Sequence, residues 1–358
     1  MSNKPGLHQN IKDLLLRGTV IPAHPLALTG NRKLDENHQR LLTRYYIEAG
    51  AGGVAVGVHT TQFAIRDPKV GLYEKVLSLA AEEVDRSGID RPFIKIAGVS
   101  GPTAQAVQEA ELAHSLGYDL VLLSSNGLSD WSEEKLIRRA KAVSEVMPLF
   151  GFYLQPAVGG KLLSQKFWED LSAIDNLYAI KMAPFNRYQT LDVVQAVAHS
   201  DRCEEIALYT GNDDNIVVDL LSEYAISTPR GVVKKRIVGG LLGHWAVWTH
   251  EAVLLLDRIH QLVDSGAKIP PQILTEAIQV TDANAAFFDA ANNFAGCIAG
   301  IHEVLYRQGL LKGIWCLDPE EDLSPGQSLE IDRVYQAYPQ LNDDAFVQRF
   351  LEQVSLPS

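Results

Sequence analysis

The chain has 358 residues, of which 46% are hydrophobic and 21% charged, the ordinary composition of a globular protein with a sizeable core. Its net charge of −12 argues against a nucleic-acid partner, because phosphate binding requires a basic face. The three cysteines are far apart and in no metal-binding spacing, which indicates reduced thiols and a cytoplasmic location. With no apolar run of about 18 residues and no signal peptide visible, we expect no membrane partner.

Segments with strand and helix character alternate from Gly18 to Val263. The strand candidates are unbroken apolar runs, a pattern typical of strands that helices cover on both faces. Eight such units predict an α/β protein with a (β/α)8 TIM barrel. An open doubly wound sheet is disfavoured because no Gly-x-Gly-x-x-Gly follows the first strand. The predicted strands are 18–23, 53–57, 92–99, 120–123, 148–153, 177–184, 205–210 and 237–242. The predicted helices are 35–49, 72–84, 103–115, 132–146, 164–174, 187–198, 214–224 and 245–263.

The chain beyond residue 265 shows helical periodicity without strands. This pattern predicts a barrel catalytic domain over 1–265 and a C-terminal helical extension over 266–358, with helices at 273–290, 294–308 and from 329 onward. Within the barrel part, the basic stretch 227–236 is expected to be an irregular insertion before the eighth strand.

A single lysine, Lys181, lies near the end of the sixth apolar strand. Lysine is almost never fully buried unless something pairs with it or uses it. Burial lowers the pKa of a lysine and leaves a neutral amine that can attack a carbonyl and form a Schiff base. We therefore expect Lys181 to be the nucleophile of a Schiff-base enzyme, with a lysine that snorkels to solvent as the alternative.

Tyr153 lies at the end of the fifth strand, 28 residues before Lys181, the length of one β/α unit. Because adjacent strands are roughly 5 Å apart, both side chains are expected in one cavity, where the phenol can carry protons. A core aromatic is the alternative for Tyr153. Lys95, in the middle of the third strand, competes for the role of nucleophile but has no such tyrosine neighbour.

The second strand ends in a glycine turn, Gly57-Val58-His59-Thr60-Thr61. Its backbone N–H groups and two hydroxyls can hold a carboxylate, although an ordinary strand-to-helix connection has the same composition.

These motifs, in this order, resemble the dihydrodipicolinate synthase and N-acetylneuraminate lyase family of class I pyruvate-dependent aldolases. The resemblance covers roughly residues 18–263. It comprises the glycine turn after strand two, Tyr153-x-x-Pro156 after strand five, the Lys181 strand, and a turn after strand seven, Thr210 to Asp214, like that family's Gly-Asp turn.

The resemblance implies a TIM barrel with a helical tail, usually a homotetramer, that needs no metal or organic cofactor. Lys181 would form an imine with a 2-oxo acid, typically pyruvate, and Tyr153 would relay protons. The partners would be a 2-oxo acid and an aldehyde. The substrate-binding residues would be Gly57, Val58, Thr60, Thr61, Gly211 and Gly240.

The chain departs from the family at three points. The family turn is commonly Gly-Thr-Thr-Gly-Glu. Aligned without a gap, Val58 and His59 replace the two threonines, and His59 becomes a catalytic candidate in the proton relay. A shifted alignment gives the hydroxyl role to Thr60 and Thr61 instead, and the sequence leaves both open.

The other two departures concern the second substrate. Val158 stands where the synthases carry an arginine that pairs with a carboxylate, and the loop 124–128 lacks the tyrosine of the synthase relay. We therefore expect an aldehyde without a carboxylate at that point, and an enzyme that is not a true dihydrodipicolinate synthase.

Two other classes compete with the lyase. A metal-dependent barrel hydrolase would use histidines and acids near strand ends, but these lack a recognisable ligand spacing. A non-catalytic barrel that binds a 2-oxo acid is the second alternative. The candidate ligands of the first are His24, His59, His244, Asp213 and Asp214.

Overall fold

The computed structural model describes residues 6–354, apart from the side chain of Ala157. Strands and helices alternate along the chain and end in a run of helices. The described strands are β1 (Val20–Pro22), β2 (Gly53–Val56), β3 (Ile94–Val99), β4 (Leu120–Leu123), β5 (Leu149–Tyr153), β6 (Leu177–Met182), β7 (Ala207–Thr210), β8 (Glu223–Thr228) and β9 (Gly231–Leu242).

The described helices are α1 (Gln9–Arg17), α2 (Glu36–Glu48), α3 (Tyr73–Arg86), α4 (Thr103–Ser115), α5 (Glu133–Ser144), α6 (Gln165–Ser172), α7 (Arg187–His199), α8 (Ile216–Leu221), α9 (Thr249–Ser265), α10 (Pro271–Phe287), α11 (Cys297–Arg307), α12 (Gln327–Ala337) and α13 (Asp344–Gln353). Between residues 6 and 354, none of these helices combines the length and apolarity needed to cross a bilayer.

One compact unit comprises the chain up to Thr19 together with Ile94–Leu241. Its parallel strands follow the order β9-β7-β6-β5-β4-β3. Nearly every residue of β4, β5, β6 and β7 is buried, as expected for apolar strands that helices cover.

The other compact unit comprises Val20–Phe93 and the chain from Leu242 onward. It contains the parallel pair β1 and β2, next to which Ala23 bridges Ala55. It also contains helices α2 and α3 and the C-terminal helices, among which α10, α11 and α12 pack on one another.

The architecture is a (β/α)8 TIM barrel with C-terminal helices, which confirms the predicted fold class. Helix α9 ends at Ser265, and no strand follows it among the described residues. The division into domains at 265/266 remains a prediction.

The stretch 227–236 is a regular hairpin, so the prediction of an irregular insertion is wrong. β8 pairs antiparallel with the first half of β9, from Glu223 opposite Arg236 to Thr228 opposite Gly231. Gly231 has a φ of +107°, which favours glycine at the end of the turn. Because β8 begins at Glu223, the helix predicted over 214–224 is reduced to α8.

Helix α1 lies in a segment where no helix is predicted from the sequence. Its residues Leu14 and Leu15 are buried, and the Leu15 carbonyl accepts a 2.9 Å hydrogen bond from the Tyr209 hydroxyl on β7. At the end of α1, Gly18 has a φ of +92°, and a Cβ there would lie 1.9 Å from the Val238 carbonyl oxygen. These contacts fix the N-terminal helix against β7 and β9.

Candidate active site

Lys181 is buried at the carboxyl end of β6, with 8% of its surface exposed. The strand register sets Phe152 of β5 on one side of it and Tyr209 of β7 on the other. The Phe152 ring centroid is 4.5 Å from Lys181 Nζ, so the ammonium faces an aromatic ring. Burial lowers the pKa of Lys181 to about 8, and the negative charge of Asp213 limits that fall.

Gly211, at the end of β7, makes room for the lysine. A Cβ at this position would lie 2.5 Å from Lys181 Cε and 2.8 Å from the Ala183 Cβ. The Gly211 N–H donates to the Met182 carbonyl at 2.7 Å, which holds the glycine against β6. The sequence predicted a substrate-binding role for Gly211, and the structure gives it a packing contact with the lysine.

The loop after Gly211 is held by a buried asparagine and a buried aspartate. Asn212 Oδ1 accepts the Phe185 N–H at 3.0 Å, and Asn212 Nδ2 donates to Asp219 Oδ2 at 3.1 Å. Asp219 also accepts the Thr210 hydroxyl at 2.7 Å and forms an ion pair with Arg187. This network fixes the backbone on either side of Asp213, whose side chain is 6% exposed.

Tyr153 does not lie beside Lys181, so the structure corrects the expected tyrosine–lysine pair. The Tyr153 ring packs on Trp168 of α6 with centroids 4.9 Å apart, and its hydroxyl accepts the Leu163 N–H at 3.3 Å. Burial raises the pKa of Tyr153. These contacts give Tyr153 the role of a core aromatic, the alternative considered for it.

A one-residue register shift explains this difference. Leu149 pairs with Leu177, an offset of 28 residues that would set Tyr153 opposite Lys181. From Phe150 onward the offset is 29, and Phe152 is the residue opposite Lys181. Because successive side chains of a strand point to opposite faces, this shift turns Tyr153 away from the lysine.

Both threonine hydroxyls of the turn after β2 are bonded to backbone groups, some in the turn itself and some in the segment after β1. Thr61 Oγ1 accepts the N–H groups of Gly57 and Val58, at 3.0 and 3.2 Å, and donates to the His24 carbonyl at 2.7 Å. Thr60 Oγ1 donates to the Ala23 carbonyl at 2.8 Å. The shifted alignment, which assigned carboxylate binding to these hydroxyls, is therefore not supported.

In the ungapped alignment Thr61 occupies the position of the family glutamate, and here it accepts the N–H groups of its own turn. That alignment leaves His59 as the polar side chain at the former threonine positions, because Val58 is apolar and buried. The His59 ring is half-buried and lies edge-on to Phe63, with centroids 6.1 Å apart.

Gly240 is part of the regular sheet. It pairs with Thr210 of β7, and its N–H donates to the Thr19 carbonyl at 3.2 Å. The N–H is therefore already used, and the predicted role of Gly240 in substrate binding has no support here.

Lys95 lies at the wrong end of its strand to act as a nucleophile. It is the second residue of β3, and a Cβ on Gly117 would lie 3.5 Å from Lys95 Nζ. Gly117 follows α4 and leads into β4, so the amine is near the amino ends of the strands, opposite to the usual position of barrel active sites.

The histidines proposed as metal ligands have other roles in the described structure. His24 is fully buried, with Nε2 2.9 Å from the Thr43 hydroxyl, and burial lowers its pKa to about 4. His244 stacks on Phe287, and burial lowers its pKa to about 4. Across residues 6–354, no group of three or more His, Cys, Asp or Glu side chains is arranged to hold a metal ion.

The curated proteins that are similar in sequence to this chain include a synthase and a lyase. The 4-hydroxy-tetrahydrodipicolinate synthase of Bifidobacterium longum is 28% identical over 212 residues, which are 58% of this chain and 64% of that protein. The N-acetylneuraminate lyase of Citrobacter koseri is 28% identical over 210 residues, which are 58% of this chain and 66% of that protein. The matched stretch thus spans just under two thirds of these relatives' length. No protein-family model matches the chain.

Among solved structures, a dihydrodipicolinate synthase from Oceanobacillus iheyensis matches with a TM-score of 0.71 at 16% identity, covering 92% of this chain and 99% of that one. At this identity the likeness shows a shared fold. The curated relatives and this solved structure belong to the dihydrodipicolinate synthase and N-acetylneuraminate lyase family, to which this chain is similar at 28% identity or less. The resemblance predicted from the sequence motifs is confirmed.

Proposed function

We propose that the chain is a Schiff-base lyase or aldolase whose Lys181 condenses with a 2-oxo acid, with pyruvate as the first candidate. The observation that carries this proposal is the buried position of Lys181 at the carboxyl end of β6, where its pKa is lowered to about 8. The similarity to a synthase and a lyase of this type supports it.

The lowered pKa increases the fraction of Lys181 side chains that are neutral near pH 7. With a pKa of about 8, roughly one Lys181 side chain in ten is neutral at pH 7, about 300-fold more than for an unperturbed lysine. The amine attacks the carbonyl carbon, and loss of water leaves an imine. The cationic imine then withdraws electrons from the adjacent carbon, so that a carbon–carbon bond is made or broken there, with or without dehydration.

His59 is our candidate for the group that binds the substrate carboxylate. Thr60 donates its hydroxyl to the Ala23 carbonyl and Thr61 donates to the His24 carbonyl. An imidazole carries a positive charge when protonated, which a carboxylate can pair with. A His59→Ala variant is expected to raise the KM for pyruvate about tenfold or more. An unchanged KM would remove His59 from the proposal.

The second substrate is expected to be an aldehyde without a carboxylate at the position that an arginine recognises in the synthases. Val158, in the short helical turn Pro156–Val158, supplies no charge there. Synthase activity at a rate typical of enzymes would contradict this point. We also propose that the chain forms a homodimer or homotetramer, which sedimentation would test.

The experiment is borohydride trapping. The protein is incubated with pyruvate, reduced and digested, and the added mass is located by mass spectrometry. We expect the adduct on the Lys181 peptide, its loss in a folded Lys181→Ala variant, and its retention in the matched control Lys95→Met. An adduct on Lys95, or none with pyruvate or with longer 2-oxo acids, would contradict the proposal.

Turnover separates the lyase from a barrel that only binds a 2-oxo acid. If pyruvate is trapped on Lys181, a screen of aldehydes for carbon–carbon bond formation or cleavage follows. Trapping without turnover of any aldehyde would favour the non-catalytic alternative. Stoichiometric bound zinc that is required for activity would favour the hydrolase.

A further inference from the structure

We propose that a cavity between the sheet and helices α5 and α6 is a binding site for a small monovalent anion of the halide class, with chloride as the first candidate. The groups that would hold the anion are the Arg139 guanidinium and the Ser125 hydroxyl. The proposal does not depend on the function proposed for Lys181.

The cavity has a volume of about 30 Å³, and its walls come from β4, β5, α5 and α6. A Cβ on Gly151 of β5 would lie 3.0 Å from Leu171 Cδ2 of α6, so this face of the strand points to the helices. Because one water molecule needs about 10–15 Å³, the space holds one or two particles of that size. Most of the lining is apolar and includes Leu123, Leu136, Leu149, Phe167 and Leu171.

Two buried polar groups in the wall have no hydrogen-bond partner. Ser125, which follows β4, is 9% exposed, and its Oγ is unpaired. Arg139, on α5, is 2% exposed; its Nε donates to the Gly101 carbonyl at 2.8 Å, whereas its Nη2 is buried and unpaired. Folded proteins rarely leave such groups unsatisfied, because each costs free energy unless a ligand or water bonds to it.

Arg139 also brings a positive charge to the cavity. Burial lowers the pKa of Arg139 to about 10, and the negative charge of Glu109 limits that fall, so the guanidinium is protonated at neutral pH. The Glu109 carboxylate accepts the Ser100 N–H at 3.0 Å and the Gln105 amide at 2.8 Å. Among the described residues that line the cavity, none is acidic. A buried cation without a counter-charge in its own cavity favours the entry of an anion.

The size and the donors select the kind of anion. One positive charge balances one negative charge, and Arg139 Nη2 and Ser125 Oγ together offer two unpaired donors. Sulfate and phosphate have four oxygens, which two donors cannot satisfy in so small a space. A halide ion needs few donors and packs against apolar side chains. A water molecule is the competing occupant, since it would satisfy the two groups but leave the charge unbalanced.

The first measurement is thermal unfolding at constant ionic strength, with sodium chloride replacing sodium gluconate, whose anion is too large for the cavity. A ligand that binds the folded state raises its stability with concentration. We expect the wild-type midpoint to rise by roughly 2–4 °C as chloride increases from about 1 mM to about 300 mM.

The variants separate this site from a general salt effect. Arg139→Met keeps the length of the side chain and removes the charge, so the chloride response is expected to disappear. Arg138→Met, which removes the neighbouring exposed arginine of the same helix, is the matched control and should respond like wild type. Ser125→Ala keeps the charge and loses one donor, so the affinity for chloride is expected to fall about tenfold.

The second measurement places the ion directly. Crystals of the wild-type protein grown in sodium bromide are expected to show an anomalous peak in the cavity, in contact with Arg139 Nη2. A water molecule there with no anomalous signal would overturn the proposal, as would equal unfolding midpoints in chloride and gluconate. A full chloride response in folded Arg139→Met or, if that variant does not fold, in Ser125→Ala would also overturn it.

Discussion

Phe152 and Lys181 are opposite each other on neighbouring strands, with the aromatic ring 4.5 Å from the amine. A phenyl ring at this position stabilises the ammonium through its negative face and provides no proton. Under the proposed function, a group other than Phe152 has to transfer the protons.

The structural role of Tyr153 gives the first prediction. A Tyr153→Phe variant keeps the packing on Trp168 and loses the hydrogen bond with Leu163, so the free energy of unfolding is expected to fall by about 1 kcal/mol. The rate of pyruvate trapping is expected to stay within about twofold of wild type. A loss of 100-fold or more would reinstate the tyrosine as the proton relay.

A Phe152→Leu variant is expected to lower the pKa of the Lys181 amine. Without the ring, the ammonium loses a cation–π contact worth roughly 0.5–2 kcal/mol, so the pKa of Lys181 should fall by about one unit. The measurement is the pH dependence of Lys181 acetylation, with Tyr153→Phe as the control in which the midpoint does not move.

The pH dependence of the wild-type lysine gives the third prediction. Because burial lowers the pKa of Lys181 to about 8, acetylation should rise with pH, with a midpoint near 8, and should fall tenfold per unit at lower pH. A midpoint near the usual 10.5 of lysine would contradict the burial of the free amine.

The lowered pKa of Lys181 also makes the stability of the protein depend on pH. Between about pH 8 and pH 10.5 the unfolded lysine holds a proton that the folded one has lost, so this group makes the protein more stable as pH rises through that window. The increment should be absent from Lys181→Met. Parallel stability curves for the two proteins would show that the lysine titrates alike in both states.

We predict that Gly211 is essential because it has no side chain. In Gly211→Ala the new methyl group would overlap Lys181 Cε, so the lysine must move. We expect pyruvate trapping to fall more than tenfold and the free energy of unfolding to fall by roughly 1–3 kcal/mol. Gly30→Ala, whose new methyl group would lie 3.4 Å from the nearest atom of Trp315, is the control expected to change trapping little.

The barrel was predictable because its strands are apolar runs that need cover on both faces, as in β4 and β6. The hairpin of β8 and β9 was missed although Pro229, Arg230 and Gly231 carry turn chemistry. Over the paired residues, its strands alternate between exposed and half-buried residues and have no buried face. Their charges resemble those of a loop.

The lysine of the candidate site was predictable from its place in an apolar run, but its neighbours were only partly predictable. Spacing along the chain suggested Tyr153 as the partner, but a one-residue shift between Leu149 and Phe150 decides which side chain faces Lys181. Such a shift depends on how two strands pack and leaves no mark in either strand's sequence. The threonines of the β2 turn were misjudged for a similar reason, since a hydroxyl's partner is set by the fold.

The contact between α1 and β7 bears on how the protein is produced. Tyr209, which pairs with Lys181 in the strand register, donates a hydrogen bond from its hydroxyl to the Leu15 carbonyl, and Gly18 lies against the backbone of Val238. A shortened version that starts after Gly18 would leave the buried Tyr209 hydroxyl without its acceptor, which would lower the free energy of unfolding by about 1–3 kcal/mol. Affinity tags and fusion partners should therefore be joined ahead of residue 9, because trimming this segment to aid crystallisation would weaken the packing of β7, the strand next to Lys181.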